Sequence, residues 1–317
     1  MIDFTHLHVH TQYSLLDGAA DISKLFDKVK EAGMDSIAIT DHGNMFGVKL
    51  FCDIAGKKGI KPIIGCEVYV ARRTRHDKED SRDRSGHHLV LLAKNKTGYH
   101  NLVKLVSYGW LEGHYYKPRI DKELLRKYLE GLIASSACLA GEIPRAIQNH
   151  KAEKAEEILQ EYVDIFGEDF YLELMEHGIP EQKTVNERLI ELSQKFNVKL
   201  IATNDCHFIS KEDAEAHDIL VCLNTGKDYN DPERLRYTGN EYIRTPEEMQ
   251  QLFKHVPQAL SNTREIADKV EEFELDRDVL LPEFPVPEQF ENQDDYLHHL
   301  TFEGAKKRYG EITDEIQ

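Results

Sequence analysis

The run His6-Leu7-His8-Val9-His10 alternates imidazole and aliphatic side chains near the start of the chain. In a β-strand, residues two apart point to the same face, so the three histidines would line one side of it. A single histidine on a strand is more often packed or exposed than bound to metal. The run therefore predicts a metal-binding strand only if residues of similar type recur elsewhere in the chain.

Residues of ligand type do recur at the ends of later apolar strands. The predicted strands are residues 3–9, 36–40, 62–67, 88–92, 131–135, 170–174 and 199–203. Helical patterns lie between several of them, such as the one that Asp21 caps and Gly33 ends. The candidate ligands at or just after the strand ends are His8, His10, Asp41, His42, Glu67, Cys138, Asp205 and His207.

Seven apolar strands separated by helices predict a parallel sheet, open or closed, with the helices as crossovers. In a closed α/β barrel the loops after the strands surround one mouth, where the chemistry takes place. Ordinary solvated side chains would not be confined to strand ends in this way. We therefore expect an α/β barrel whose mouth holds metal.

The donor types indicate which metals and which reaction to expect. Imidazoles, carboxylates and one thiolate suit Zn, Mn or Fe and form a poor cage for Ca or Mg. A shared carboxylate such as Glu67 can bridge two ions about 3.5–4 Å apart, which activates water and clamps a phosphate for in-line displacement. Phosphoester hydrolysis is therefore the leading reaction class.

Composition excludes several other classes of protein. The 317 residues carry a formal net charge of −17, which argues against a chain that grips DNA or RNA by itself. No stretch approaches the roughly 20 apolar residues of a membrane span, and no basic-then-apolar leader is present, so we expect a cytoplasmic protein. Five cysteines without a CxxC pair predict no disulfide framework.

Four motifs resemble those of the PHP (polymerase and histidinol phosphatase) superfamily: His8-Val9-His10-Thr11, Thr40-Asp41-His42-Gly43, Gly65-Cys66-Glu67 and Asn204-Asp205-Cys206-His207. Residues 6–19, 116–121 and 203–207 narrow the resemblance to the N-terminal PHP domains of bacterial replicative DNA polymerase III α subunits. The resemblance covers roughly residues 1–285. It implies a distorted seven-stranded (βα)7 barrel, an α/β fold with peripheral helices, that holds up to three metal ions.

Nine residues match the ligand positions of that superfamily. The resemblance assigns His8, His10, Glu67 and Asp205 to a first ion, Glu67, His88 and Cys138 to a second, and Asp17, His42 and His207 to a third. Two of these, Asp17 and Cys138, replace the commonest histidines and are replacements typical of the polymerase branch. The ions implied are Zn or Mn, alone or mixed, and the expected catalytic residues are Asp205, Glu67 and His10.

Several of these assignments have a simpler alternative in the sequence itself. Asp17 stands before Gly18, and the pair is typical of a turn. Cys138 is as easily explained as a buried thiol. Only one of His87 and His88 can face inward, and we favour His88.

Five further residues are candidates for supporting or substrate-binding roles: His6, Asp41, Tyr116, Lys117 and Arg119. The first two are candidates for orienting a ligating histidine, with simple packing as the alternative for His6. The other three combine aromatic rings with cations, as single-strand binding sites do, although a solvated loop is the simpler interpretation. The mixed charges of residues 72–84 predict a solvated or mobile loop.

The resemblance also implies a function. Polymerase PHP domains that keep the ligand set can be metal-dependent 3′-to-5′ proofreading exonucleases within a DNA-directed DNA polymerase, a nucleotidyltransferase, and those that have lost it are structural platforms. The expected substrate is a DNA 3′ end presented by the other polymerase domains. The expected partners are replicase subunits such as the sliding clamp, with a separate exonuclease subunit as a further candidate.

Two alternatives stay open. One is a free-standing small-molecule phosphatase of the histidinol-phosphatase type, which the same ligands permit. The other is a metal-binding scaffold that docks a separate proofreading subunit. Hydrolysis of histidinol phosphate without action on DNA would indicate the first, and bound metal without hydrolysis of any phosphoester would indicate the second.

The end of the chain changes character. Pro282, Pro285 and Pro287 mark a linker, and Asp294 can cap a helix after it. We therefore expect a PHP metal-dependent phosphoesterase domain over residues 1–280. Residues 281–317 are expected to be a linker and the start of a polymerase domain, so that this chain alone does not synthesise DNA.

Overall fold

The computed structural model describes residues 3–276, 279 and 281–317, and the chain divides into two compact units at Leu275 and Asp276. The strands are β1 (Ser36–Ile39), β2 (Lys61–Val70), β3 (His87–Ala93), β4 (Arg119–Ile120), β5 (Leu132–Ser135), β6 (Phe170–Leu174) and β7 (Leu200–Ala202). The helices of the first unit are α1 (Ile22–Glu31), α2 (Val48–Lys58), α3 (Lys96–Leu111), α4 (Lys122–Lys127), α5 (Glu142–Gln148), α6 (Ala152–Phe166), α7 (Pro180–Phe196), α8 (Ala214–Thr225), α9 (Pro246–Leu252) and α10 (Gln258–Lys269). The second unit contains α11 (Gln293–Tyr309), which Asn292 caps, not Asp294 as expected.

The strands form one sheet in the order β1–β2–β3–β5–β6–β7, and β4 pairs with the far end of β2. The sheet is mixed, because β3 runs antiparallel to both β2 and β5 while the other pairs are parallel. The prediction of a wholly parallel sheet is therefore wrong at β3. The physical reason is the connection before it, since residues 71–86 contain only a short 3-10 turn and no crossover helix.

That connection has an internal frame of ion pairs. Arg73 makes two hydrogen bonds to the buried carboxylate of Asp83, and the buried Arg75 binds both Asp121 and Glu112. The expectation of a merely solvated loop thus misses two buried charged residues, each of which is paired as buried charges must be.

The segment predicted as the first strand closes the sheet. It is extended, and isolated bridges tie it to its neighbours in place of a regular strand: His6 pairs with Ile37 of β1, and Val9 pairs with Cys206 just after β7. His10 N donates to the carbonyl of Cys206 over 2.7 Å. Because this segment pairs on both sides, the sheet closes into the expected distorted α/β barrel with peripheral helices.

The interior of the barrel is layered. An apolar cluster fills the lower part: Leu7, Ala38, Ile63, Val90, Leu92, Ile133, Ala137, Tyr171, Ile201, and Ile266, Ala267 and Val270 of α10. Along β2, residues two apart point to the same face, so Ile63 in this cluster is followed at the mouth by Glu67. Outside the sheet, the amphipathic helix α1 buries Ile22 and Phe26, and Asp21 caps it as predicted.

Candidate metal centre

Four side chains converge at the mouth of the barrel: His8, His10, Glu67 and Asp205. Oδ1 of Asp205 lies 3.1 Å from Nε2 of His8 and 3.2 Å from Nε2 of His10, and the Glu67 carboxylate lies 3.3 and 3.5 Å from the same two nitrogens. Four of the facing atoms, the two Nε2 atoms, Oε2 of Glu67 and Oδ1 of Asp205, are buried without a hydrogen-bond partner. Buried polar atoms left unpaired are costly, and a cation bound between them would satisfy all four.

A second group adjoins the first through Glu67. Oε1 of Glu67 lies 2.9 Å from Nδ1 of His88 and 3.8 Å from Sγ of Cys138, and those two atoms are 3.6 Å apart. His88 stands at the start of β3, not at its end. Because β3 is reversed, its start lies at the same mouth as the ends of the parallel strands, and His88 rather than His87 reaches the carboxylate.

A third group lies on the other side of His10. Oδ2 of Asp17 is 2.9 Å from Nε2 of His42 and 3.5 Å from Nε2 of His207. The ring of His10 stacks between the rings of His42 and His207, at centroid distances of 4.1 and 4.4 Å. The structure thus brings the nine residues assigned by resemblance into three adjoining groups.

The electrostatics of the mouth favour positive charge. Burial lowers the pKa of His42, but Glu67 and Asp17 more than reverse this and raise it to about 10. Burial works against the charged form of Asp205 too, yet the neighbouring histidines hold its pKa well below the usual range. For His10, burial and the charges of His42 and His207 lower the pKa to about 3. Ionised carboxylates therefore surround an imidazole that keeps its lone pair, as a metal ligand must.

A buried glutamate that the sequence analysis missed holds His8. Oε1 of Glu173, within β6, lies 2.7 Å from Nδ1 of His8, and the same carboxylate accepts hydrogen bonds of 2.5 Å from Ser135 and Thr203. A carboxylate that takes the Nδ1 proton fixes the tautomer and turns Nε2 toward the centre. The sequence feature that could have identified Glu173 is its charge within the otherwise apolar strand Phe170–Leu174.

Asp41 acts on a histidine only through an intermediary. Its Oδ1 accepts hydrogen bonds from Ser14 Oγ (2.8 Å) and from the backbone N of Thr11 (2.6 Å), and Ser14 Oγ lies 2.9 Å from Nδ1 of His10. The carboxylate therefore fixes the loop that follows His10 and, through Ser14, the orientation of its ring.

The remaining candidates lie at varied distances from the mouth. His6 is buried and donates from Nε2 to the carbonyl of Arg244, so packing explains it. Arg119 is also buried, and its guanidinium donates to carbonyls of residues 75, 77 and 113. Tyr116 is 63% exposed, and Nζ of Lys117 lies 5.5 Å from the ring centroid of Tyr69.

The backbone is unusual next to the convergent side chains. Leu16, Ala137 and Asp205 adopt positive φ angles of 60°, 56° and 42°, and each stands at or directly before one of the nine residues. Strained backbone of this kind persists where surrounding structure holds it, most often at functional sites. Gly18 is required by space, since a Cβ atom there would lie 2.1 Å from the carbonyl oxygen of Thr11. The predicted turn at Asp17-Gly18 and the placement of Asp17 at the mouth are therefore compatible.

Within the described parts of the chain no helix is both long and apolar enough to span a membrane.

Comparisons with known proteins agree with the motifs. The "PHP domain" family model matches residues 6–177. DNA polymerase III subunit alpha of Borreliella burgdorferi is 49% identical over 99% of this chain and 28% of its own length, and that of Treponema pallidum is 43% identical over 100% and 27%.

A solved structure from Bacteroides vulgatus, described as a two-domain protein containing a predicted PHP-like metal-dependent phosphoesterase, aligns with a TM-score of 0.40 and 14% identity. The alignment covers 82% of this chain and 63% of that one. The chain spans only about a quarter of the length of the curated relatives named above. The match of the family model over more than half of its residues shows that the chain belongs to the PHP domain family.

Proposed function

We propose that this chain is the PHP domain of a cytoplasmic DNA polymerase III α subunit and that its barrel mouth hydrolyses phosphodiester bonds at a DNA 3′ end. The observation that carries the proposal is the set of buried, unpaired donor atoms of His8, His10, Glu67 and Asp205. The family match and the named relatives support it. The other polymerase domains and replicase subunits, such as the sliding clamp, would be its partners.

The nine residues at the mouth would hold up to three Zn or Mn ions: His8, His10, Asp17, His42, Glu67, His88, Cys138, Asp205 and His207. Such ions lower the pKa of a bound water and neutralise phosphate charge. Glu67 joins the groups, because its two oxygens reach His8, His10, His42 and His88 within 3.5 Å. The side chain of Asp205 is 14% exposed while that of Glu67 is only 1% exposed, so Asp205 is the carboxylate of the first group that an attacking water would reach more easily.

The DNA strand would approach past the loop of residues 113–118. Tyr116 projects into solvent with the guanidinium of Arg84 5.1 Å from its ring centroid. Lys117 lies over Tyr69, whose ring is 5.9 Å from that of His42 at the mouth. Aromatic rings interleaved with cations suit unpaired bases and their phosphates. Arg119 is left out of this path because its guanidinium is buried among carbonyls.

The test is hydrolysis of a 3′-mismatched primer-template by the purified chain with Zn or Mn added. We expect removal of the mismatched nucleotide, and a loss of at least about a hundredfold in Asp205→Asn, which deletes the charge at the reacting atoms. Asparagine tolerates the positive φ of residue 205, so this variant preserves the backbone.

Three other outcomes would contradict the proposal. Equal activity in the wild type and Asp205→Asn would place the hydrolysis elsewhere. Hydrolysis of histidinol phosphate without action on DNA would indicate a small-molecule phosphatase. Bound metal with no hydrolysis of any phosphoester would indicate a scaffold for a separate proofreading subunit.

A further inference from the structure

A loop of residues 226–243 brings one tyrosine to the third group of side chains. Its first half is anchored by Arg234, whose guanidinium makes two hydrogen bonds of 2.5 Å to the carboxylate of Asp218 on α8. Its second half is anchored by the carbonyl of Glu241, which accepts a hydrogen bond of 2.7 Å from the backbone N of His207. Tyr237 lies between these two anchors, so the loop fixes its place.

The hydroxyl of Tyr237 contacts two residues of the proposed third ion. It lies 3.1 Å from Oδ1 of Asp17 and 3.2 Å from Nε2 of His207. Its ring packs 4.8 Å from the rings of both His207 and His217. His217 in turn donates from Nε2 to the backbone carbonyl of Asp17 over 2.7 Å. Asp17 is therefore held at its backbone by one side chain and at its carboxylate by another.

The hydrogen bonds define which atoms are left to face an ion. Nδ1 of His207 lies 2.8 Å from the carbonyl oxygen of Asp205, which can only accept, so Nδ1 carries a proton and Nε2 is the nitrogen available for metal. The Tyr237 hydroxyl has one proton to donate. When Nε2 faces an ion, the acceptor that remains for this proton is Oδ1 of Asp17. The other carboxylate oxygen, Oδ2, points to His42 and His207.

We propose that Tyr237 is a positioning residue of the metal centre: its hydroxyl holds Oδ1 of Asp17 and so presents Oδ2 to the ion shared with His42 and His207. The inference rests on the proposed metal centre. It adds to that centre a residue outside the motifs and outside the nine expected ligands. Partners of this kind orient ligating carboxylates, and their loss typically weakens metal binding about 10–100-fold.

Tyr237→Phe tests the role, because it removes the hydroxyl and keeps the ring. The 317-residue chain, stripped of metal, is titrated with Mn²⁺ by calorimetry, and ions per chain are counted by elemental analysis. We expect one site to weaken about 10–100-fold while the other sites keep their affinity. Tyr242→Phe is the matched control, since it lies on the same loop and its hydroxyl donates to Glu248 over 2.7 Å, away from the nine residues.

A double variant tests whether Tyr237 acts through Asp17. If it does, Tyr237→Phe combined with Asp17→Asn binds Mn²⁺ no more weakly than Asp17→Asn alone, whereas additive losses would overturn the inference. Wild-type affinity in Tyr237→Phe would overturn it too. A visible phenolate-to-iron charge-transfer absorption band that the Fe³⁺-loaded wild type shows and Tyr237→Phe lacks would also overturn the inference, because Tyr237 would then be a metal ligand. A wild-type chain that binds no ion would refute the metal centre itself.

Discussion

Histidines at the mouth of the barrel share one arrangement of their two nitrogens. Nδ1 is held by a neighbour and Nε2 is turned toward the centre in three of them: His8 with Glu173, His10 with Ser14, and His207 with the carbonyl of Asp205. An imidazole binds metal through one nitrogen, so a partner on the other nitrogen sets both its tautomer and its direction. Metal binding at the proposed centre would therefore depend on residues that do not contact the ion.

Glu173→Gln tests this dependence. The amide is neutral, and its NH2 group replaces one of the two oxygens that accept from Ser135 or from Thr203 and His8, so at least one of these donors then faces another donor. We expect Zn²⁺ or Mn²⁺ affinity to fall about 10–100-fold, as measured by competition with a chelator. Glu168→Gln, at an exposed position just before β6, should bind like the wild type. Equal affinity in both variants would show that Glu173 does not support His8.

The family resemblance assigned nine residues that the structure brings together at the mouth, but it did not indicate their partners. Ligands recur as short motifs of unusual residues, whereas Glu173, Ser14 and Tyr237 are single polar residues whose roles depend on contacts with distant parts of the chain. Ser14 lies close to His10 in sequence, yet its bond to Asp41 exists only because β1 ends beside the first segment. Such pairings follow from the closed barrel, which a pattern along one chain does not contain.

At the scale of elements, the direction of strand β3 could not be predicted from the sequence. The apolar pattern of a buried strand is the same for both strand directions, so it does not predict whether the strand is parallel or antiparallel to its neighbours. The connection before the strand sets its direction. Here that connection is the ion-paired loop of residues 71–86. The reversal places the first residues of β3 at the mouth and thereby brings His88 to Glu67. The position of α1, by contrast, followed from the cap at Asp21 and the apolar spacing after it.

The ion pairs that hold the loop of residues 71–86 should depend on Asp83. The Arg73 guanidinium lowers the pKa of Asp83 to about 2, so the folded loop favours the ionised carboxylate. Its stabilising effect is present above about pH 4 and is lost as the pH falls toward 2. We expect Asp83→Asn to increase amide hydrogen exchange over residues 72–84 at neutral pH, as read by mass spectrometry. Glu79→Gln, an exposed change in the same loop, should leave exchange unchanged, and equal exchange in both variants would contradict the assignment.

At the scale of the whole molecule, the first compact unit ends at Leu275, five residues before the boundary expected from the prolines. The linker at residues 281–317 stays a prediction, and the prolines do not indicate the last residue that packs. Phe273 and Leu275 pack against the main hydrophobic cluster, and neither stands out in the sequence. The net charge of −17 belongs to this scale too, because under the proposed function the binding of a DNA strand would depend on local cations such as Lys117.

Truncation tests the independence of this unit. A chain of residues 1–275 should unfold at the same temperature as the full chain and bind the same number of ions, because the barrel and its mouth lie within it. A chain of residues 1–257 should fail to fold, since it lacks α10, which supplies Ile266, Ala267 and Val270 to the barrel interior. Calorimetric melting of the three chains is the measurement. A clear loss of melting temperature in the 1–275 chain would contradict the prediction.

The closing segment at residues 6–10 has a consequence for how the protein is made. Its partners at the mouth come from late in the chain: His8 meets Glu173 across 165 positions, and His6 meets Cys206 across 200. At ribosomal speeds of about 5–20 residues per second, roughly 10–40 seconds separate the synthesis of the two ends of such a contact. An ion could therefore bind the proposed centre only after residue 205 has been synthesised. A nascent chain stalled before that residue would carry the early histidines without the carboxylate that completes the proposed site.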